Sequence, residues 1–449
     1  LSRSLKRRHL SLIALGGVIG AGLFVGSSAS IRAVGPAVVL SYLMAGATVY
    51  AVMAIIGELT RYFPGTQAFT DLVRASTGPG MGFVVGWLYW YQWIVVMAIE
   101  ALAGAALLQA WMPLPIGVLS ALLVLIMMGI NLLPTRSFGE FEFWFSSVKV
   151  VAIVGFIAVA AAYCLDGTAA RSQTWLNVTA RPAFMPYGVG SVLTGVVTVF
   201  FSLTGAELTT IAAVESREGS RTNARLAAAL VGRIILFYVG SVFLIVCVVP
   251  WSSIAPGVSP FTEVLKAIGF KSAERLMAAV ILTAVLSCLN SAFYISSRVL
   301  FGLAAHADAP ERLVKLNTQR VPVRSVLLGG VAASLCLLTA IAAPDTAFAF
   351  LVNAAGCVVI FNYLAICIAH LAQRQREHRD VAPSAARRVP RWVTYLTIGV
   401  MVGLLIMMGA QRELAAQLYV SSAALLVAVC AYLVVRRRRS QVHQNGRYL

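Results

Sequence analysis

Runs of apolar residues follow one another along almost the whole chain. Twelve windows fall near residues 10–33, 37–60, 81–111, 114–134, 141–164, 187–213, 226–250, 273–303, 323–343, 346–370, 392–410 and 415–435. Each matches the about 20 apolar residues that a helix needs to cross a bilayer. Two windows are interrupted near their middles, by Gly16-Gly17-Val18-Ile19-Gly20-Ala21-Gly22 and by Ser202-Leu203-Thr204-Gly205-Ala206-Glu207. No water reaches a loosened backbone in hydrocarbon, so such breaks persist only where protein or a wet cavity covers them. Corresponding breaks in two halves of a chain point to the substrate site of a transporter built from inverted repeats.

The windows divide the chain. Residues 1–166 hold the first five and 187–370 the next five, joined by a polar stretch with Gly167, Ser172, Asn177 and Pro182. Because each group has an odd number of spans, the second begins on the opposite side of the membrane, which makes the repeat inverted. Residues 392–449 carry windows eleven and twelve and a basic tail, expected at the periphery with a packing or oligomer role. Two connections have amphipathic runs of their own, Phe69 to Val73 and the stretch from Phe301 to Pro322. Each reads as a short cytoplasmic helix or as a plain basic connector.

Composition sharpens this picture. The chain has 449 residues, 59% hydrophobic and 12% charged, which excludes a soluble globule and leaves a multi-pass protein of the lipid bilayer. Its net charge of +18 does not mark a nucleic-acid partner, because the cations alternate with the windows instead of gathering on one face. Lys6 to Arg8, Arg61 and Arg74, Arg136, Arg217 to Arg225, Arg312 to Arg324, Arg374 to Arg388 and Arg436 to Arg439 fall in alternate loops. The positive-inside rule places those loops and both termini in the cytoplasm, so the expected location is a bacterial inner membrane. Nothing before Leu10 reads as a cleavable signal. Seven cysteines scattered through apolar windows read as small hydrophobes, and five histidines without ligand spacing predict no metal. No nucleophile elbow or phosphate loop suggests an enzyme.

Gly16, Gly17, Gly20 and Gly22 lie within seven residues. Gly16 and Gly20, four apart, suit close helix packing. All four together suit an unwound turn whose N–H groups, at the positive end of a half-helix, hold a carboxylate. In the second break, Ser202, Thr204 and Gly205 precede Glu207, and freed carbonyls there suit an ammonium group. An anion cradle and a cation cradle together fit a zwitterionic amino acid. Ionisable residues inside spans are expensive, at least about 2.5 kcal/mol each at the centre. Glu100, Lys149, Glu207 and Arg233 fall there, whereas Glu58 and Arg298 lie near window ends where snorkelling suffices. Lys149 reads either as half of a structural ion pair or as a proton carrier, a role also open to Glu100. Trp87, Tyr89, Trp90, Tyr91 and Trp93 read as an interfacial anchor, with one or two members available to line a cavity.

Five stretches in order, LKRRHLSLIALGGVIGAGLFVGSS, GWLYWYQW with Glu100, FEFWFSSVKVVAIVGFIAV, FSLTGAE with IAAVES, and SCLNSAFYISSRVLFGLAAHADAPE, resemble amino acid permeases of the amino acid–polyamine–organocation superfamily. Within it the chain is similar to the bacterial amino acid transporter branch. The resemblance implies the all-α fold of the sodium-coupled leucine transporters, with broken helices 1 and 6 and alternating access. By the same resemblance the substrate carboxylate meets Gly20, Ala21 and Gly22. Its amino group meets carbonyls near Val18, Phe201 and Thr204, with Phe201 a gate. Glu207 would tie the second break to neighbouring helices, and Ser287, Asn290 and Ser291 are polar neighbours on helix eight. Lys149 would stand where sodium-driven relatives hold a cation, so the implied coupling ion is a proton and no other cofactor is expected. The implied activity is import of a zwitterionic amino acid or close analogue with protons, or exchange, with a membrane nutrient receptor or a channel as the readings from another class. Two departures stand out: Ala21 replaces a frequent serine or threonine, and the loop ESREGSRTNAR lacks the usual Asn-Pro step.

Overall fold

The computed structural model describes residues 19–63, 66, 68–133, 135–166, 174, 176–179, 184–207, 220–342, 344–376 and 388–445. Among them every regular element is a helix. The first window is split into α1 (Ala21–Phe24) and α2 (Gly26–Val34), which lead into α3 (Val38–Tyr62) and a short α4 (Phe69–Thr77). Then come α5 (Pro79–Leu108), α6 (Ile116–Asn131) and α7 (Thr135–Leu165). The second group holds α8 (Gly188–Ser202), α9 (Ser220–Val248), α10 (Pro260–Ala267), α11 (Lys271–Ala305), α12 (Val323–Ala342) and α13 (Pro344–Arg376). Last are α14 (Arg391–Ala410) and α15 (Arg412–Asn445).

The interior is organised around α5, whose residues from Val95 to Ala105 are all buried and which packs on α4, α6, α11, α12 and α13. Its start is set by Gly78 and Pro79. The glycine adopts φ +107°, and the proline occupies the first turn, where its missing N–H costs nothing. Large apolar side chains face outward instead on α7, α14 and α15, including Val151, Ile406 and Val427. Such an apolar exterior, with seven helices among the described residues long and apolar enough to span, belongs to a multi-pass membrane protein.

α4 is the amphipathic run from Phe69, and it buries Phe69, Leu72, Val73 and Ser76. The stretch from Phe301 differs from its expected form: α11 simply continues through it to Ala305, and only a 3₁₀ turn at Glu311–Leu313 follows. The two elements meet. Arg74 of α4 pairs with Asp308, whose backbone carbonyl also accepts from Trp87 Nε1 at 3.2 Å. On the opposite end of α11, the sequence reading missed α10, which Pro260 starts and which wedges Phe261 between Phe24 and Phe156, at ring distances of 4.9 and 4.5 Å.

Glu58 corrects the snorkelling expectation. It is buried, accepts from the Val389 N–H at 2.5 Å, and lies 3.3 Å from His370 and 3.4 Å from Arg374. His370 also meets Thr394 of α14 at 3.0 Å, so this cluster joins α3, α13 and α14. The partners Glu58 finds there offset part of the cost of taking its charge out of water. Arg298 likewise stays inside, donating to the Tyr294 carbonyl at 3.1 Å and to Ser297 at 3.0 Å. Of the aromatic series on α5, Tyr89 and Trp93 are buried, with Trp93 edge-on against Tyr89, while Trp87, Trp90 and Tyr91 stay partly exposed.

Candidate functional site

The two breaks meet. Gly20 precedes α1 with extended dihedrals (φ −141°), and α8 stops at Ser202, followed by a turn over Leu203–Gly205. Gly205 takes φ +96°, a conformation that disfavours side chains, which lets the chain reverse at once. The hydroxyl of Ser202 donates to the Gly22 carbonyl at 2.8 Å, joining one break to the other. A Cβ on Gly22 would come within 2.7 Å of the Ser202 Cα, so only glycine permits this approach.

The freed amide of the first break already holds a carboxylate. Ala21 N–H points at both oxygens of Glu100, at 3.1 and 3.0 Å, and Glu100 is buried on α5. A Cβ on Gly20 would lie 2.5 Å from Glu100 Oε1 and 2.8 Å from Cys288, so glycine admits the carboxylate here too. An N–H left without a partner at a helix break needs an acceptor, and here the Glu100 carboxyl supplies it. A narrow cavity opens beside this contact, with Gly22, Trp93, Glu100, Phe201, Ser202 and Thr204 among its walls. It has polar groups at the two breaks and apolar walls between them.

Glu207 lies just beyond the second break. It accepts from the Gly205 N–H at 3.2 Å, from Tyr89 of α5 at 3.1 Å and from Tyr363 of α13 at 3.2 Å. Thr204 donates back to the Phe200 carbonyl at 3.3 Å. Val18, with Gly16 and Gly17, lies outside the described residues, as does the Arg233 side chain. Lys149 is fully buried on α7 and interacts electrostatically with Glu142, Cys288 and Glu100.

Three polar residues of α11 divide. Asn290 turns to α6, accepting from Asn131 at 2.7 Å. Ser287 instead donates to Glu142 at 2.6 Å, and Ser291 is buried near the same carboxylate. Glu142 escaped the sequence reading because it stands at the edge of its window. The signal was its spacing of seven from Lys149, two turns along one helix face.

Buried polar groups converging on paired helix breaks inside a multi-pass helical bundle are an arrangement that suits a membrane transporter. The family model described as amino acid permease matches residues 9–444, and the chain belongs to that family. The chain is 38% identical over 446 residues to the gamma-aminobutyric acid permease of Bacillus subtilis, covering 98% of this chain and 94% of that one. It is 36% identical to the gamma-aminobutyric acid permease of Escherichia coli, over 91% of this chain and 88% of that one. It is also 31% identical to the aromatic amino acid transport protein AroP of Escherichia coli, over 96% and 95%. These relatives carry the names of permeases and transport proteins, and none of them that of an enzyme.

Proposed function

We propose that this protein is a proton-coupled symporter that imports a zwitterionic amino acid or a close analogue, such as γ-aminobutyrate, across the bacterial inner membrane by alternating access. The observation that carries this reading is the carboxylate of Glu100 on the Ala21 amide. A substrate carboxylate needs the same donor, and two carboxylates cannot share it while both are ionised. Taking up a proton on Glu100 removes the competing charge and frees the amide, so proton and substrate arrive together. The substrate's ammonium group is then left to the carbonyls of the second break, beside Phe201 and Thr204. Lys149 sits within electrostatic reach of Glu100 and supplies the second proton-exchanging group.

The experiment is uptake of a labelled amino acid panel, γ-aminobutyrate included, into vesicles holding the purified protein. With an imposed inward proton gradient, the parent should accumulate substrate and a protonophore should abolish this. Lys149→Ala should still bind substrate but not accumulate it. Uptake that requires internal substrate and ignores the gradient would make the protein an exchanger.

A further inference from the structure

We infer that Glu142 is the proton station on the exit side of Lys149, reached through the hydroxyl of Ser146. The inference rests on the proton-coupled reading above and adds to it a route. Glu142 is fully buried on α7. Its Oε1 accepts from Ser287 at 2.6 Å and from Ser146 at 3.3 Å, while its Oε2, equally buried, has no hydrogen bond of its own among the described residues and lies near the Ser291 hydroxyl, which also has none. A buried polar atom left so calls for a reason, and a carboxyl that carries a proton for part of a cycle is one. Residues 142, 146 and 149 stand at i, i+4 and i+7, a single stripe about 10 Å long. The stripe runs from Lys149 toward the end of α7 where the loop arginines place the cytoplasm.

Charge balance says when Glu142 holds the proton. The groups facing one another are Glu142 and Lys149 on α7, Glu100 on α5, Cys288 on α11 and Tyr238 on α9. With both carboxylates ionised and Lys149 an ammonium, the cluster carries one buried negative charge in excess. One proton on either carboxyl neutralises it, which a dry interior strongly favours. Glu100 accepts the Ala21 N–H with both oxygens, a role that suits an ionised carboxylate, so with this contact made the proton is assigned to Glu142. When substrate displaces Glu100, Glu100 is the protonated one and Glu142 is ionised.

Substrate release therefore moves one proton along the stripe. Lys149 gives an N–H proton to the Ser146 oxygen as that hydroxyl passes its own proton to Glu142 Oε1. The Lys149 amine then takes the carboxyl proton of Glu100, which returns as a carboxylate to the Ala21 amide. Glu142 keeps this proton until the next substrate brings one to Glu100, and only then loses its own to water, so that one proton crosses with each substrate. No heavy-atom bond changes, and each group ends the cycle as it began.

The test is Glu142→Gln in vesicles, where proton-driven accumulation and counterflow of labelled against unlabelled substrate are measured side by side. The ratio of accumulation to counterflow should fall at least about tenfold, and accumulation should lose its dependence on external pH. A parental ratio and pH profile in the variant would overturn the assignment, as would parallel loss of both activities in folded protein, the mark of a structural role. Should Glu142→Gln fail to fold, Ser146→Ala takes its place: the same fall in ratio, rescued by Ser146→Thr, supports the relay, and an unchanged ratio overturns it. If the parent shows no proton-driven accumulation, the symport reading fails and takes the relay with it. Failure of the variants alone, with a coupled parent, removes only Glu142.

Discussion

At the scale of single residues, the contact between the two breaks depends on what is missing from Gly22. A methyl group there faces the Ser202 Cα at 2.7 Å, a backbone atom that cannot rotate away. Gly22→Ala should therefore push α1 from α8, at an overpacking cost of about 1–3 kcal/mol, and weaken the Ser202 hydrogen bond to the Gly22 carbonyl. The expected result is at least a tenfold loss of substrate affinity in a binding assay. Gly129→Ala, at a site with nothing within 4 Å, should leave affinity unchanged. Equal affinities in the two variants would separate the substrate site from this contact. The glycines were legible in the sequence because four in seven residues defeat any ordinary helix. That Glu100 would fill the amide they free was not, because no local pattern reveals which carboxylate of another helix reaches it. Glu142 was missed for the opposite reason: its partner was known, but its place at a window edge made burial look cheap.

Among the elements, the apolar windows were readable because a twenty-residue periodic signal survives any local detail. Short elements were not. α10 was passed over although Ser259 and Pro260 mark its start, with Glu263 in its first turn and Lys266 in its last. The role of α4 depends on its neighbours rather than on its own amphipathic pattern. Its Asp71 faces His306, at 3.8 Å, and Arg74. Burial is the largest influence on Asp71 and raises its carboxyl above the usual range, with His306 and Arg74 opposing. A carboxyl raised on folding favours the folded state below its unfolded value, about 3.9, and loses that contribution as pH climbs through the raised one. Asp71→Asn, which cannot ionise, should therefore gain stability relative to the parent as pH rises from 4 to 6. Melting curves of both proteins in detergent across that range provide the check. A difference in melting temperature that stays constant or shrinks with pH would mean that ion pairing outweighs burial at α4.

For the whole molecule, the decisive question is which way each half faces. Under the proposed inverted repeat, five spans in each group make the second half start on the side where the first half ended, and the breaks in windows one and six then approach the middle of the membrane from opposite sides. Their N–H and carbonyl ends face one cavity only under that arrangement, since two half-helices of the same orientation present the same pole. Corresponding loops of the two halves must then lie on opposite faces. The connection after α5, around Gln109, and the connection after α11, around Arg312, are such a pair, and both side chains are exposed. The positive-inside expectation gives the absolute sense to be tested, with Arg312 among the cytoplasmic cations and Gln109 outside. In a variant without native cysteines, Gln109→Cys should react with a membrane-impermeant thiol reagent in intact cells, and Arg312→Cys only after permeabilisation. Labelling of both from the same side would break the inverted relation, and with it the argument that the two cradles oppose each other across one substrate.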